Sequence, residues 1–270
     1  MIQKIEYKDF NVFFRVEGNG ETIVLVHGFC ESMEIWDDFV KVLSQRYRVI
    51  MPDLPGHGMT GDPGQSGAAG ELGNTMEMQA EAINEILKVC GVDRCTMVGH
   101  SMGGYTTLAF AELFSEKIKG FCLFHSTAMS DTEEKKLDRD RAIEAIEKDK
   151  NTFLDGLVPK MFAPSNVSKM KKEIDKVLSI AKGISETGLI AALYGMRNRI
   201  DRQHVLAEAD YPVLFIIGKD DMLIPLDRMY SQIVKPGHSE VLILSGVGHM
   251  GFYEAPERTL FAIGKFMEQI

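Results

Sequence analysis

The chain has 270 residues, of which 45% are hydrophobic and 26% charged, and a formal net charge of −9. That length fits one domain, or one core domain carrying an insertion, and buries a core large enough to fold without a disulfide or a metal. The acidic balance argues against a nucleic-acid partner, which needs a basic patch, and no apolar run reaches the roughly 18 residues of a membrane span.

Residues 3–18 read as two half-buried antiparallel strands joined near Asp9, with Ile5/Tyr7 and Val12/Phe14/Val16 alternating with polar residues. The charged, alternating N-terminus reads as a strand and not as a signal peptide. Cys30, Cys90, Cys95 and Cys122 form no CxxC pair and no Cys/His cluster of zinc spacing. A cytoplasmic location and no membrane insertion are therefore expected. Six later runs are short and almost continuously apolar: 22–26, 48–51, 96–98, 121–124, 213–217 and 241–244. Such runs suit strands buried on both faces of a parallel sheet. Helical patterns fall between or after them at 35–46, 75–90, 102–115, 226–234 and 255–269. Alternating β and α segments predict an α/β fold with helices on both faces of a mostly parallel sheet.

Two stretches break this rhythm. Residues 61–74 contain five glycines and read as a flexible loop. Residues 128–206 hold no good strand, only charged amphipathic helices broken at Pro159, Pro164, Gly183 and Gly188. The expected organisation is a core of 1–127 and 207–270, with 128–206 inserted above the C-terminal strand ends, where α/β sheets bind ligands. The runs Glu133-Glu134-Lys135-Lys136 and Lys169-Met170-Lys171-Lys172 lie in this block and read as solvated helix faces.

Gly99-His100-Ser101-Met102-Gly103 matches G-x-S-x-G, between an apolar strand and a helical run. That setting puts a serine hydroxyl on a tight turn above the sheet, with the first helical N–H groups and the positive end of the helix dipole facing developing charge. The N–H of Met102 is then one oxyanion donor. A serine needs a base, and the base needs an orienting carboxylate. Of seven histidines, His249 follows the last apolar strand and so shares a sheet edge with Ser101. The carboxylate should follow the preceding strand, where Asp220 and Asp221 are adjacent. His27-Gly28-Phe29 follows the strand at 22–26, and the N–H of Phe29 can complete an oxyanion hole.

His27-Gly28-Phe29 with Trp36, Asp53-Leu54-Pro55-Gly56-His57-Gly58, Gly99–Gly104, Gly218–Pro225 and Gly248-His249 together resemble the α/β-hydrolase superfamily. The resemblance implies Ser101 as nucleophile, His249 as base and Asp221, four residues before Pro225, as the acid. It implies oxyanion donors at Phe29 and Met102 and a structural role for Asp53 and His57. It likens the 128–206 block to a helical cap. Gly195–Asp201 is similar to the end of that cap in small-molecule esterases and enol-lactonases. The expected activity is hydrolysis of a small or medium ester or lactone through an acyl-enzyme, with no metal or organic cofactor. Carbon–carbon bond hydrolysis, cofactor-free perhydrolysis and ligand reception without turnover are the alternatives. Activity should rise as a histidine base deprotonates, through roughly pH 6–7. Phe29, Trp36, Met102, Met129, Met161, Met222 and Met250 lie in segments expected to face an apolar pocket.

Overall fold

The computed structural model describes residues 2–62 and 74–270. Most of the Gly-rich stretch expected to be a loop, residues 63–73, lies outside them. Eight strands form one sheet: β1 (Ile2–Tyr7), β2 (Phe10–Glu17), β3 (Thr22–Val26), β4 (Arg48–Pro52), β5 (Cys95–His100), β6 (Ile118–Phe124), β7 (Val213–Gly218) and β8 (Ser239–Leu244). The helices in chain order are α1 (Asp37–Leu43), α2 (Met76–Val89), α3 (Met102–Leu113), α4 (Glu133–Leu157), α5 (Lys171–Gly183), α6 (Glu186–Asn198), α7 (Gln203–Glu208), α8 (Tyr230–Ile233), α9 (Gly251–Glu254) and α10 (Pro256–Met267).

The strand order is β1-β2-β4-β3-β5-β6-β7-β8. β1 and β2 pair antiparallel, β2 meets β4 antiparallel, and every pairing from β4 through β8 is parallel. The apolar runs of β3, β5 and β7 are buried along their whole lengths, as parallel strands covered on both faces must be. β8 departs from the sequence reading. It is an edge strand, and Val241 keeps 40% of its surface exposed. The flanking helices pair α2 with α3 and α1 with α10. Among the described residues, no single helix is long and apolar enough to cross a membrane.

The parallel register brings several strand ends to one edge. Val26 aligns with Gly99, His100 with Phe124, Phe124 with Ile216, and Gly218 with Leu244. Loops leaving β3, β5, β6, β7 and β8 thus emerge together, and they carry the candidate residues.

Two local expectations are corrected and one break is added. The helix expected at 226–234 is a 3-10 turn (Leu226–Arg228) followed by the single-turn α8. Gly188 does not break a helix. It sits in the first turn of α6, donating its N–H at 2.9 Å to Oγ of the N-cap Ser185. A further break in the 128–206 block lies at Asp149, whose φ of −164° interrupts α4. Its carboxylate accepts from the N–H and hydroxyl of Thr152 at 3.1 and 2.7 Å, which caps a second helical segment.

Candidate active site

Ser101 occupies the turn between β5 and α3 with φ 50° and ψ −115°. This region is costly for a residue with a Cβ. Neighbouring bonds hold it there. Its N–H donates to the carbonyl of Phe124 at 3.0 Å, and its carbonyl accepts from Ser126 Oγ at 2.7 Å and from the N–H of Gly104 at 2.9 Å. The motif glycine at 103 is required by close approach, since a Cβ there would lie 2.3 Å from the carbonyl oxygen of Val26. Met102 is the first residue of α3, so its N–H has no intrahelical acceptor. The loop after β3 abuts this turn: a Cβ on Gly28 would come within 3.2 Å of Ser101 Cβ. The N–H of Phe29, next in that loop, has no partner among the described residues.

Asp221 lies beyond β7 in a tight turn, where Oδ1 accepts from the N–H groups of Leu223 and Ile224 at 2.8 and 3.0 Å. Its other oxygen is 2.8 Å from Nδ1 of His249. Both side chains are almost wholly buried. Burial by itself would raise the Asp221 carboxyl, but the facing rings of His249 and His125 together outweigh it and hold the group well below the ordinary carboxylate range. The adjacent Asp220 is turned elsewhere and accepts from the N–H of Gly246 at 2.9 Å.

Two further histidines crowd this centre. His125, at the end of β6, has Nδ1 3.4 Å from Asp221. That nitrogen is also 3.2 Å from the backbone N of Gly218, and Nε2 is buried without a hydrogen-bond partner. Burial pushes His125 down to about 4. His100 is fully buried, with Nδ1 3.0 Å from Glu31 Oε2 and Nε2 2.8 Å from the carbonyl of His249. The N–H of Gly28 donates to the same Glu31 oxygen. Burial disfavours the charged His100 ring, but Glu31 and the His249 carbonyl overcome it and its pKa rises. The arrangement is satisfied when both ring nitrogens carry protons. His100 thereby joins the loop after β3 to the loop holding His249. Sequence spacing offered no sign of this link, because Glu31 and His100 are 69 residues apart.

A second carboxylate braces the His249 loop. Glu254 Oε1 accepts from the N–H groups of Gly248 and Met250 at 3.0 and 3.2 Å. Its Oε2 accepts from the N–H of Ala163 and from Asn166 Nδ2, both at 2.8 Å. The N–H of His249 donates to the carbonyl of Met161 at 2.7 Å. The segment between α4 and α5 is thus fastened directly beside His249.

Ser101 and His249 line one cavity of about 710 Å³, walled by the inserted helices and the loops after β3 and β7. Phe29, Met129 and Met161 line it as expected, and Tyr105, one helical turn beyond Ser101, lines it too. Trp36 does not. Its ring is fully buried against Phe39, Phe124 and Phe252, with centroids 5.3–6.3 Å away. The side chains of Met102 and Met250 are likewise core, and Met222 is 68% exposed away from the cavity. Loop position alone does not tell which way a side chain turns. Most of the lining is apolar, as expected, with Phe153, Leu157, Leu193 and Met196 among it, but Lys135, Arg139, Lys160, Arg199 and Arg228 reach the same cavity with Asp131 and Asp138. Lys135 is half-buried and lines the cavity, whereas Glu133 and Glu134 of the same run are exposed as expected. Asp53 is structural, as the resemblance implied: its two oxygens accept from the N–H groups of Met33 and Met59 at 2.7 and 2.8 Å.

Known proteins resemble this chain in sequence and in fold. A 2-hydroxy-6-oxononadienedioate/2-hydroxy-6-oxononatrienedioate hydrolase of Paraburkholderia phymatum is 26% identical over 268 residues, 93% of this chain and 88% of that protein. A thermophilic esterase from Thermogutta terrifontis superimposes with a TM-score of 0.90 at 26% identity, covering 100% of this chain and 98% of its own. An enol-lactonase from Burkholderia xenovorans shares the fold at a TM-score of 0.88 and 18% identity, covering 98% of this chain and 100% of its own. The family of the alpha/beta hydrolase fold matches residues 21–171, and the chain therefore belongs to that family and is a hydrolytic enzyme.

Proposed function

We propose that the protein hydrolyses a small or medium carboxylic ester or lactone through an acyl-enzyme on Ser101. The observation that carries this reading is the 2.8 Å contact of Asp221 with His249 Nδ1, with Ser101 and His249 facing the same cavity. With Nδ1–H donated to Asp221, His249 Nε2 is free to accept a proton. Ser101 Oγ attacks the carbonyl carbon and gives that proton to Nε2. The oxyanion takes hydrogen bonds from the N–H groups of Phe29 and Met102. Collapse of the tetrahedral species breaks the bond to the leaving oxygen, which collects the proton from Nε2. Water then attacks the acyl-enzyme with His249 again as base. Asp221 keeps the imidazole in the required tautomer and stabilises its charged form.

Residues 128–206 act as a cap over the strand ends in this reading, and the cavity they share with the core holds the acyl group. Carbon–carbon bond hydrolysis by the same residues is a second reading, favoured by the 26% identity across 93% of this chain to the Paraburkholderia phymatum hydrolase. The test is a short 4-nitrophenyl ester assay with fluorophosphonate labelling. Wild type turns over and is labelled at Ser101, whereas Ser101→Ala is unlabelled and loses on the order of 10⁴-fold in kcat. Most activity surviving in Ser101→Ala overturns the proposal. A vinylogous diketone cleaved faster than any ester selects the second reading.

A further inference from the structure

The charge inside the cavity runs against the charge of the molecule. The chain carries a net −9, yet the cavity lining holds five cationic side chains and two carboxylates. The carboxylates do not cancel the cations. Asp131 is shared between two arginines, with Oδ1 2.7 Å from Arg199 Nη1 and Oδ2 3.1 Å from Arg139 Nε. Asp138 pairs with Arg141, outside the lining, at 3.0 Å. Lys135, Lys160 and Arg228 have no carboxylate within ion-pair distance among the described residues. The Arg199 side chain is only 4% exposed, and its Nε is buried without a hydrogen-bond partner.

We infer that the substrate bears an oxyanion, a carboxylate or a phosphate, apart from its scissile bond, and that Lys135, Arg228 and Arg139 bind it within the cavity that contains Ser101. This rests on the hydrolase reading of Ser101 and names the class of substrate. Lys135 and Arg139 stand four residues apart in α4, on one helical face. Arg228 approaches from the 3-10 turn after β7. Groups from two separate segments thus converge on one volume. Their mutual effect is repulsive. Lys135 is pushed below its ordinary value, first by burial and then by Arg139; Asp131 and Asp138 oppose the shift without reversing it, and Arg228 adds a smaller push in the same direction. Arg228 is exposed while Lys135 and Arg139 are half-buried, so the cations stand between solvent and the cavity, where an entering anion relieves their mutual repulsion. Arginine suits a planar carboxylate or a phosphate through paired N–H donors, and lysine adds a point charge. A neutral acyl chain gains nothing from these groups and must displace water from them. The matching substrates are esters or lactones carrying a second acid group.

The test compares two esters of equal chain length, 4-nitrophenyl hexanoate and the monoanionic 4-nitrophenyl hemiadipate. At roughly 20 mM ionic strength, wild type is expected to favour the anionic ester about tenfold or more in kcat/KM. Roughly 500 mM salt should erode that preference. In Lys135→Gln/Arg228→Gln the anionic-to-neutral ratio should fall towards one, mainly through KM. Binding is read separately from turnover by titrating Ser101→Ala with adipate, inorganic phosphate or uncharged 1,6-hexanediol. Adipate or phosphate should raise the thermal midpoint and the diol should not, and whichever anion acts at lower concentration identifies the group. Equal use of both esters by wild type, with no shift from either anion, overturns the inference while leaving the hydrolase reading intact. Turnover of neither ester without labelling of Ser101 refutes the hydrolase reading instead, and the anion titration then still decides whether the site binds anions.

Discussion

Ser101→Gly should be more stable than Ser101→Ala, which reverses the usual order of these two residues. Ser101 has φ 50° and ψ −115°, and a residue with a Cβ pays about 1–3 kcal/mol to stay in such a region. Glycine adopts it freely, at the cost of about 0.5–1 kcal/mol of extra unfolded-chain entropy relative to alanine. The difference leaves Ser101→Gly about 1 kcal/mol more stable, or about 2 °C in melting temperature for a chain of this length. Both variants lack Oγ, so loss of the hydroxyl cancels in the comparison. Urea unfolding of the two proteins at one pH reads the difference directly. An alanine variant more stable by about 0.5–1 kcal/mol, as at an ordinary helix position, would refute the claim that the turn stores strain at Ser101.

Asp221→Asn should lower kcat by about 10³–10⁴-fold with little change in fold, because the amide oxygen can still accept from Leu223 and Ile224 but imidazole orientation is lost. Asp220→Asn should stay within about threefold of wild type, because Asp220 only receives the exposed Gly246 N–H; similar losses in the two variants would contradict the assignment of Asp221. His100→Ala strands Glu31 in the core and should cost about 3–5 kcal/mol in urea unfolding, and wild-type stability would dismiss the bridge as incidental. Stability should fall as pH drops from about 6.5 to 4. Burial lowers His27, His57 and His125, with His57 and His125 down to about 4, so across that window the unfolded chain binds protons that the folded chain refuses. His57 and His125 each contribute on the order of 3 kcal/mol to the loss, and His27 adds to it in the same direction. Asp53, raised by burial to about 6, acts oppositely over the same window and offsets about one of them. Urea midpoints equal at pH 7 and pH 4.5 would disprove this balance.

Much of the fold was legible because its signals are local. Each parallel strand is a short apolar run, and Ser101, Asp221 and His249 each follow one, so β/α alternation carries them to one sheet edge. The orientation of side chains in loops was not legible. Trp36 and Met250 occupy positions as plausible for a pocket as those of Met129 and Met161, yet they turn into the core. A charged run such as Glu133–Lys136 specifies a polar face, but it does not say that one member, Lys135, also meets a cavity. The turn at Asp149 did carry a readable signal, an Asp three residues before Thr152, and it was hidden by an otherwise continuous helical pattern.

The Glu254 carboxylate has a consequence for how this molecule could be rebuilt. A transplant of residues 128–206 into another scaffold would appear to need two cuts, one at each end of the block. Glu254 and His249 create a third seam in its middle, where Ala163, Asn166 and Met161 bond to the core. A donor block that lacks the 161–166 bonding pattern would leave the Glu254 carboxylate half-satisfied and the His249 N–H without an acceptor. The inserted block is therefore less portable than its chain boundaries suggest, and any exchange must carry the 161–166 strap with it or redesign Glu254 in the same step.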